Sequence, residues 1–141
     1  MTNLAFKIRS ASGWTMFVFG VLAFVLGIVG LVHPEWILAM LGFQVLERAA
    51  RASGDYTVTF LTASSMASFN MGVYYILAVA SDFKPFYGWT VPFRVVTFSV
   101  FTIAAISGVA PIGFMGIGIW ELVGAIATGL ALYFEGARKN K

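Results

Sequence analysis

The chain has 141 residues, 60% of them hydrophobic and 11% charged, with a mean hydropathy of +0.88, which excludes an ordinary water-soluble domain and points to an integral membrane protein. It has no cysteine, so a disulfide framework, a thiolate metal site and a thiol nucleophile are all excluded. Its net charge of +3 comes from basic residues at the termini and in short loops, too few and too scattered to track a nucleic-acid backbone.

Four stretches are long and apolar enough to cross a bilayer, which takes about 20 residues. The first runs over about 14–32. Lys7 and Arg9 precede it, as in a signal peptide, but the apolar run is longer than a signal core and leads into His33-Pro34-Glu35-Trp36, not a cleavage site. Pro34 disfavours helical geometry in the residue before it and sets the end of the span. Gly13, Gly20 and Gly27 recur every seven residues on one face, where a second helix can approach closely.

Over about 35–53 the pattern changes. Gln44, Glu47, Arg48, Arg51 and Asp55 fall on one polar stripe of a helix, with Ile37, Leu38, Leu41, Val45 and Ala49 opposite. Glu47–Arg51 and Arg51–Asp55 have ion-pair spacing. The stretch is expected to be an amphipathic helix in the headgroup plane, covering the end of the bundle or capping a cavity or partner contact.

The second span covers about 57–80, with a small-residue series Ser64, Ser68 and Gly72 and with Asn70 nearby. Residues 81–90 read as a loop rich in aromatic rings, expected as interfacial anchors or as the mouth of a quinone or lipid site. The third span is expected over about 91–109, with Pro92 tolerated in its first turn, and a tight hairpin follows at Ala110-Pro111-Ile112-Gly113. The fourth covers about 114–134 and is glycine-rich. The whole reads as one integral membrane domain over 1–141: all-α, a four-helix transmembrane bundle with an interfacial helix between spans 1 and 2.

With four spans, Lys7, Arg9, Lys84, Arg94, Arg138, Lys139 and Lys141 share one side, against Arg48 and Arg51 on the other. The positive-inside rule then places both termini in the cytoplasm.

Between Arg94 and Glu135 the single charge is Glu121, and an ionisable group at membrane depth is a functional-site hypothesis by default. At about 1.5 Å per residue, Arg94 is expected roughly 5 Å inside the cytoplasmic boundary, Asn70 roughly 15 Å inside it, and Glu121 some 10–14 Å from the outer one. Asn70, Arg94 and Glu121 therefore form a candidate buried cluster, with Arg94 reaching along its helix and Asn70 or Thr97 bridging. It would serve as an internal clamp or as a ligand- or proton-carrying site; simple snorkelling of Arg94 is the third reading.

No catalytic constellation or metal site is visible. His33 is the one histidine and cannot alone build a haem or zinc site; its place beside Pro34 reads as interfacial. The serines have no G-x-S-x-G elbow, and the glycines around Gly113-Phe114-Met115-Gly116-Ile117-Gly118 follow no strand.

With Ser68-Phe69-Asn70-Met71-Gly72, Pro92-Phe93-Arg94 and Trp120-Glu121-Leu122-Val123-Gly124 as its notable segments, the chain resembles in topology, over its whole length, the DoxX-like small membrane proteins. Some members of that family resemble subunits of quinone-linked redox systems; a bacterial inner (plasma) membrane location is expected, the cofactor is left open between a quinone and a lipid, and the resemblance assigns no role to any residue here. The expected function is non-enzymatic: an accessory or scaffold subunit of a homo-oligomer or larger membrane complex, in contact with the lipid bilayer and not with nucleic acid. The alternative is a quinone-, lipid- or small-solute-binding or transport protein built on Asn70, Arg94 and Glu121.

Overall fold

The computed structural model describes residues 7–139; residues 1–6, 140 and 141, including the Lys141 counted above, lie outside them. Every regular element among the described residues is helical: α1 (Ala11–Val32), α2 (Pro34–Met40), α3 (Thr57–Ala80), α4 (Lys84–Ile106) and α5 (Met115–Lys139), with short 3-10 turns at Arg48–Ala50 and Ile112–Phe114. Four helices, Ala11–Val32, Thr57–Ala80, Lys84–Ile106 and Ile112–Arg138, are long and apolar enough to cross a membrane. The chain is thus an all-α integral membrane protein. Large apolar side chains such as Val25, Val100, Ile126 and Tyr133 stand exposed on the outer faces of these helices, as contact with lipid requires.

Local chemistry explains each boundary. Ser10 caps α1 by accepting a hydrogen bond from the Gly13 N–H at 3.0 Å, and Pro34 opens α2 directly after the end of α1. The helix expected over 35–53 is not continuous. Gly42 stands at φ 79°, the Phe43 N–H bonds the Leu38 carbonyl and the Gly42 N–H bonds that of Ala39, a glycine-terminated stop that ends α2 after seven residues. Non-helical chain follows as far as the turn at Arg48–Ala50, so the polar residues do not share one helical stripe. Arg51–Asp55 pairs at 2.8 Å as its spacing suggested, while Arg48 pairs with Glu35 at 3.3 Å.

The third spanning helix also departs from expectation. It starts at Lys84, not near 91, because Pro85 initiates a helix and the aromatic residues that read as a loop form its first turns. Pro92 accordingly lies inside α4, where it has no N–H to give to the Gly88 carbonyl. At the other boundary Asp82 takes the left-handed position, at φ 49°, in a stop of the same kind as that at Gly42.

α1 and α3 pack antiparallel, as do α4 and α5; α5 also lies against α1, while α3 and α4 touch only sparsely. Glycine makes the first contact possible. A Cβ on Gly27 would come within 2.6 Å of the Phe69 backbone nitrogen, and one on Gly72 within 2.5 Å of that of Phe24. Ser68 donates across the same interface to the Ala23 carbonyl at 2.9 Å. The α3 residue that faces Gly30 is Ser65, not Ser64; Ser64 is exposed and bonds its own helix at Leu61. The compact core of Met16, Phe19, Tyr75, Ala78, Val79 and Tyr87 fills the half of the molecule nearest the start of α1.

Candidate functional site

Because α3 and α4 barely meet, a cavity of about 1270 Å³ opens between the two helix pairs. Its walls are mostly apolar and aromatic, including Leu22, Leu61, Met71, Phe86, Phe93, Phe101 and Trp120, with hydroxyls from Ser64, Ser65, Ser68, Thr90 and Thr97. Two charged side chains reach it, Arg94 and Glu121. Its size exceeds the usual 300–1,000 Å³ of small-molecule sites, and a mostly apolar wall with few polar groups is the general pattern of such sites.

Arg94 lies ten residues after Lys84 and twelve before Ile106, about 15 and 18 Å along α4. The early start of α4 thus puts it deep, not near the boundary as the sequence suggested. Its side chain is 3% exposed. The guanidinium lies over the Phe19 ring, with Cζ 3.9 Å from the centroid, and Tyr75 stands on a second side at 5.1 Å. Gly124 makes room for it: a Cβ there would collide with both Nη1 and the Phe19 ring. Trp120 stacks on Phe19 at 4.5 Å and holds that ring from behind.

The Nε of Arg94 is 3.7 Å from the Oε2 of Glu121, whose side chain is 25% exposed. That is an ion pair without a hydrogen bond. Nε, Nη1 and Nη2 have no hydrogen-bond partner among the described residues. A guanidinium stays charged in proteins and carries five N–H donors, so leaving it buried and unbonded is costly. Such a group carries strain or is matched to an acceptor such as a water, an ion or a ligand.

The third predicted member does not join them. Asn70 is half-buried, does not line the cavity and has no side-chain hydrogen bond among the described residues. It stands five residues before Tyr75, about 140° around α3 from the wall that Tyr75 forms. Thr97 does line the cavity, but its hydroxyl bonds the Phe93 carbonyl at 3.0 Å and bridges nothing. His33 stacks on Trp36 at 4.7 Å, a local contact at the start of α2.

One polar cluster was missed in the sequence. Lys84 Nζ donates to Ser12 Oγ and to Glu135 Oε2, each at 2.8 Å, and also to Ser10 Oγ. Ser12 gives its N–H and hydroxyl to Glu135 at 2.8 and 2.9 Å. These bonds tie the starts of α1 and α4 to the end of α5, with Thr15–Thr128 at 2.9 Å farther along. The Lys84 and Glu135 charges are paired with each other and bonded to Ser12, which makes the cluster a structural clamp. Its charges stand at helix ends, where they read as ordinary flanking residues.

No family model, curated protein or solved structure matches the chain, so geometry and chemistry carry the functional argument.

Proposed function

We propose that this protein binds a lipophilic small molecule within the membrane, with the molecule's apolar part in the cavity between the helix pairs and a hydrogen-bond acceptor on Arg94. The observation that carries this reading is the Arg94 guanidinium itself: buried, without a hydrogen bond among the described residues, and set in the wall of a mostly apolar cavity. A lipid or a quinone-like molecule has the required pairing of an apolar body with an acceptor. Glu121 completes the charge balance beside it, and Asn70 has no part in the site.

This reading takes precedence over the accessory or scaffold role expected from the sequence. That role drew on small-residue faces waiting for partners, and the faces of Gly20, Gly27, Ser68 and Gly72 are used up in the contact between α1 and α3. We further propose a four-helix bundle with both termini cytoplasmic in a bacterial inner membrane, and α2 with its following loop at the outer interface. Arg94 no longer counts toward the charge bias, yet the described Lys7, Arg9, Lys84, Arg138 and Lys139 still outnumber Arg48 and Arg51. Membership in the DoxX-like group is a proposal that rests on topology.

The test is purification in a mild detergent, followed by native mass spectrometry. The wild-type chain is expected to retain a small lipophilic species that Arg94→Gln loses. Retention of the same species at the same occupancy by Arg94→Gln contradicts the reading.

A further inference from the structure

We propose that the head group of the bound molecule is an anion, and that its capture is coupled to uptake of one proton by Glu121. The inference rests on the binding reading above and narrows it to a chemical class: an amphiphile with an apolar tail and an anionic head.

The Phe19 ring lies 3.9 Å from the guanidinium carbon and Gly124 abuts Nη1, so the three nitrogens are buried and an entering head group reaches them by displacing this packing. Guanidinium donors lie in one plane, and Nη1 and Nη2 form a fork that fits two oxygens of one carboxylate or phosphate group. Glu121 does not fill the fork. It comes to 3.7 Å of Nε, outside hydrogen-bond range, and bonds none of the three nitrogens.

Charge sets the remaining condition. Arg94 and an ionised Glu121 sum to zero, and an arriving anion would make the site net negative in a low-dielectric wall. Two anions beside one cation are resolved by protonating one of them. Among the residues lining the cavity, Arg94 from α4 and Glu121 from α5 are the charged groups and Tyr75 from α3 the other titratable one; α1 and α2 contribute none. Glu121 is the one carboxyl in the cavity lining and the less buried of the pair, its side chain 25% exposed against 3% for Arg94. The balanced step is therefore an anion and one proton entering together: the head group takes the Arg94 fork, the proton goes to the Glu121 carboxylate, and no covalent bond changes elsewhere.

The experiment uses the full chain, delipidated in a non-ionic detergent, with hexadecanesulfonate as probe because its charge does not titrate. Hexadecanamide is the neutral control. Calorimetry between about pH 6 and pH 8.5 should show sulfonate affinity falling by up to about tenfold per pH unit wherever Glu121 must be protonated, with a buffer-dependent heat equal to about one proton. Hexadecanamide should bind more weakly and without pH dependence. Glu121→Gln, which stays neutral, should give a flat sulfonate profile, and Arg94→Gln should lose the preference for sulfonate over amide. A fatty acid and an anionic phospholipid share this head-group chemistry: displacement of the sulfonate by palmitate or by phosphatidate identifies the source, and displacement by neither overturns the proposal. Equal, pH-independent binding of sulfonate and amide overturns the anionic head and leaves the cavity reading standing. Binding of neither overturns both.

Discussion

Arg94 Nε and Glu121 Oε2 stand 3.7 Å apart, an ion pair by distance that closes no hydrogen bond. The separation follows from their neighbours. Phe19 and the gap at Gly124 fix the guanidinium, and Glu121 approaches from the adjoining helix at the cavity edge. The two charges are coupled nonetheless, and removing one strands the other in an apolar wall. Arg94→Gln and Glu121→Gln should each lower the melting temperature in detergent, and the double variant should lose less than their sum. The expected coupling is about 0.5–3 kcal/mol. Strict additivity would show that the two side chains act independently.

The α1–α3 contact gives a second test. Gly72→Ala and Gly27→Ala each push a methyl into backbone of the facing helix, and overpacking of this kind costs about 1–3 kcal/mol. Gly116→Ala is the control, since nothing lies within 4 Å of a Cβ there. Thermal melts should separate the first two variants from the third. Three equal melting temperatures would mean that the two helices are not packed as described.

The clamp joining Ser12, Lys84 and Glu135 should matter for stability and not for binding. Hydrogen bonds to charged groups contribute about 1.5–3 kcal/mol, and with Lys84 and Glu135 30% and 25% exposed the lower end applies. Glu135→Ala and Lys84→Met should each lower stability by about 1–2 kcal/mol, with the double variant again below the sum. Occupancy of the cavity by a lipophilic probe should be unchanged at temperatures where the variants are folded.

At the opposite end, the Asp55 carboxylate accepts from the hydroxyl and N–H of Thr57 and pairs with Arg51. These partners, the Thr57 hydroxyl foremost, hold its pKa below the ordinary 3.8. A carboxyl lowered in the folded state contributes stability that is complete above the ordinary value and is lost as pH falls through the folded one. The stability difference between wild type and Asp55→Asn should therefore be constant near neutrality and shrink in acid below about pH 4. A difference that widens on acidification contradicts this assignment.

Much of this architecture is legible in the residues. Thr57 and Ala80 bound α3 where hydropathy puts them, and Pro34 separates α1 from α2 as proline should. Arg94 and Glu121 stand out because a charge in an apolar run is rare. What escapes is decided by single residues or by distant ones. The pairing of Gly42 with Phe43 stops α2, a signal outweighed by the helical polar stripe on either side of it. Pro85 starts α4 seven residues early because aromatic residues suit a helix as well as an interfacial loop. Asn70 is polar and near in depth, yet faces away, which periodicity relative to Tyr75 could have revealed. Ser12, Lys84 and Glu135 lie far apart in the chain, and only the packing of α1, α4 and α5 unites them.

The most direct measurement of the central claim is photocrosslinking of a diazirine-bearing palmitate to the wild-type chain in membranes, with adducts located by peptide mass spectrometry. Adducts are predicted to concentrate on cavity residues of α4 and α5, from Phe93 to Thr97 and from Ile117 to Glu121, and to fall sharply in Thr97→Phe, which places a ring in the cavity about one helical turn from Arg94. Adducts spread evenly over outward faces such as those of Val25, Val100 and Ile126, and unchanged by Thr97→Phe, would show that lipid meets this protein only from outside.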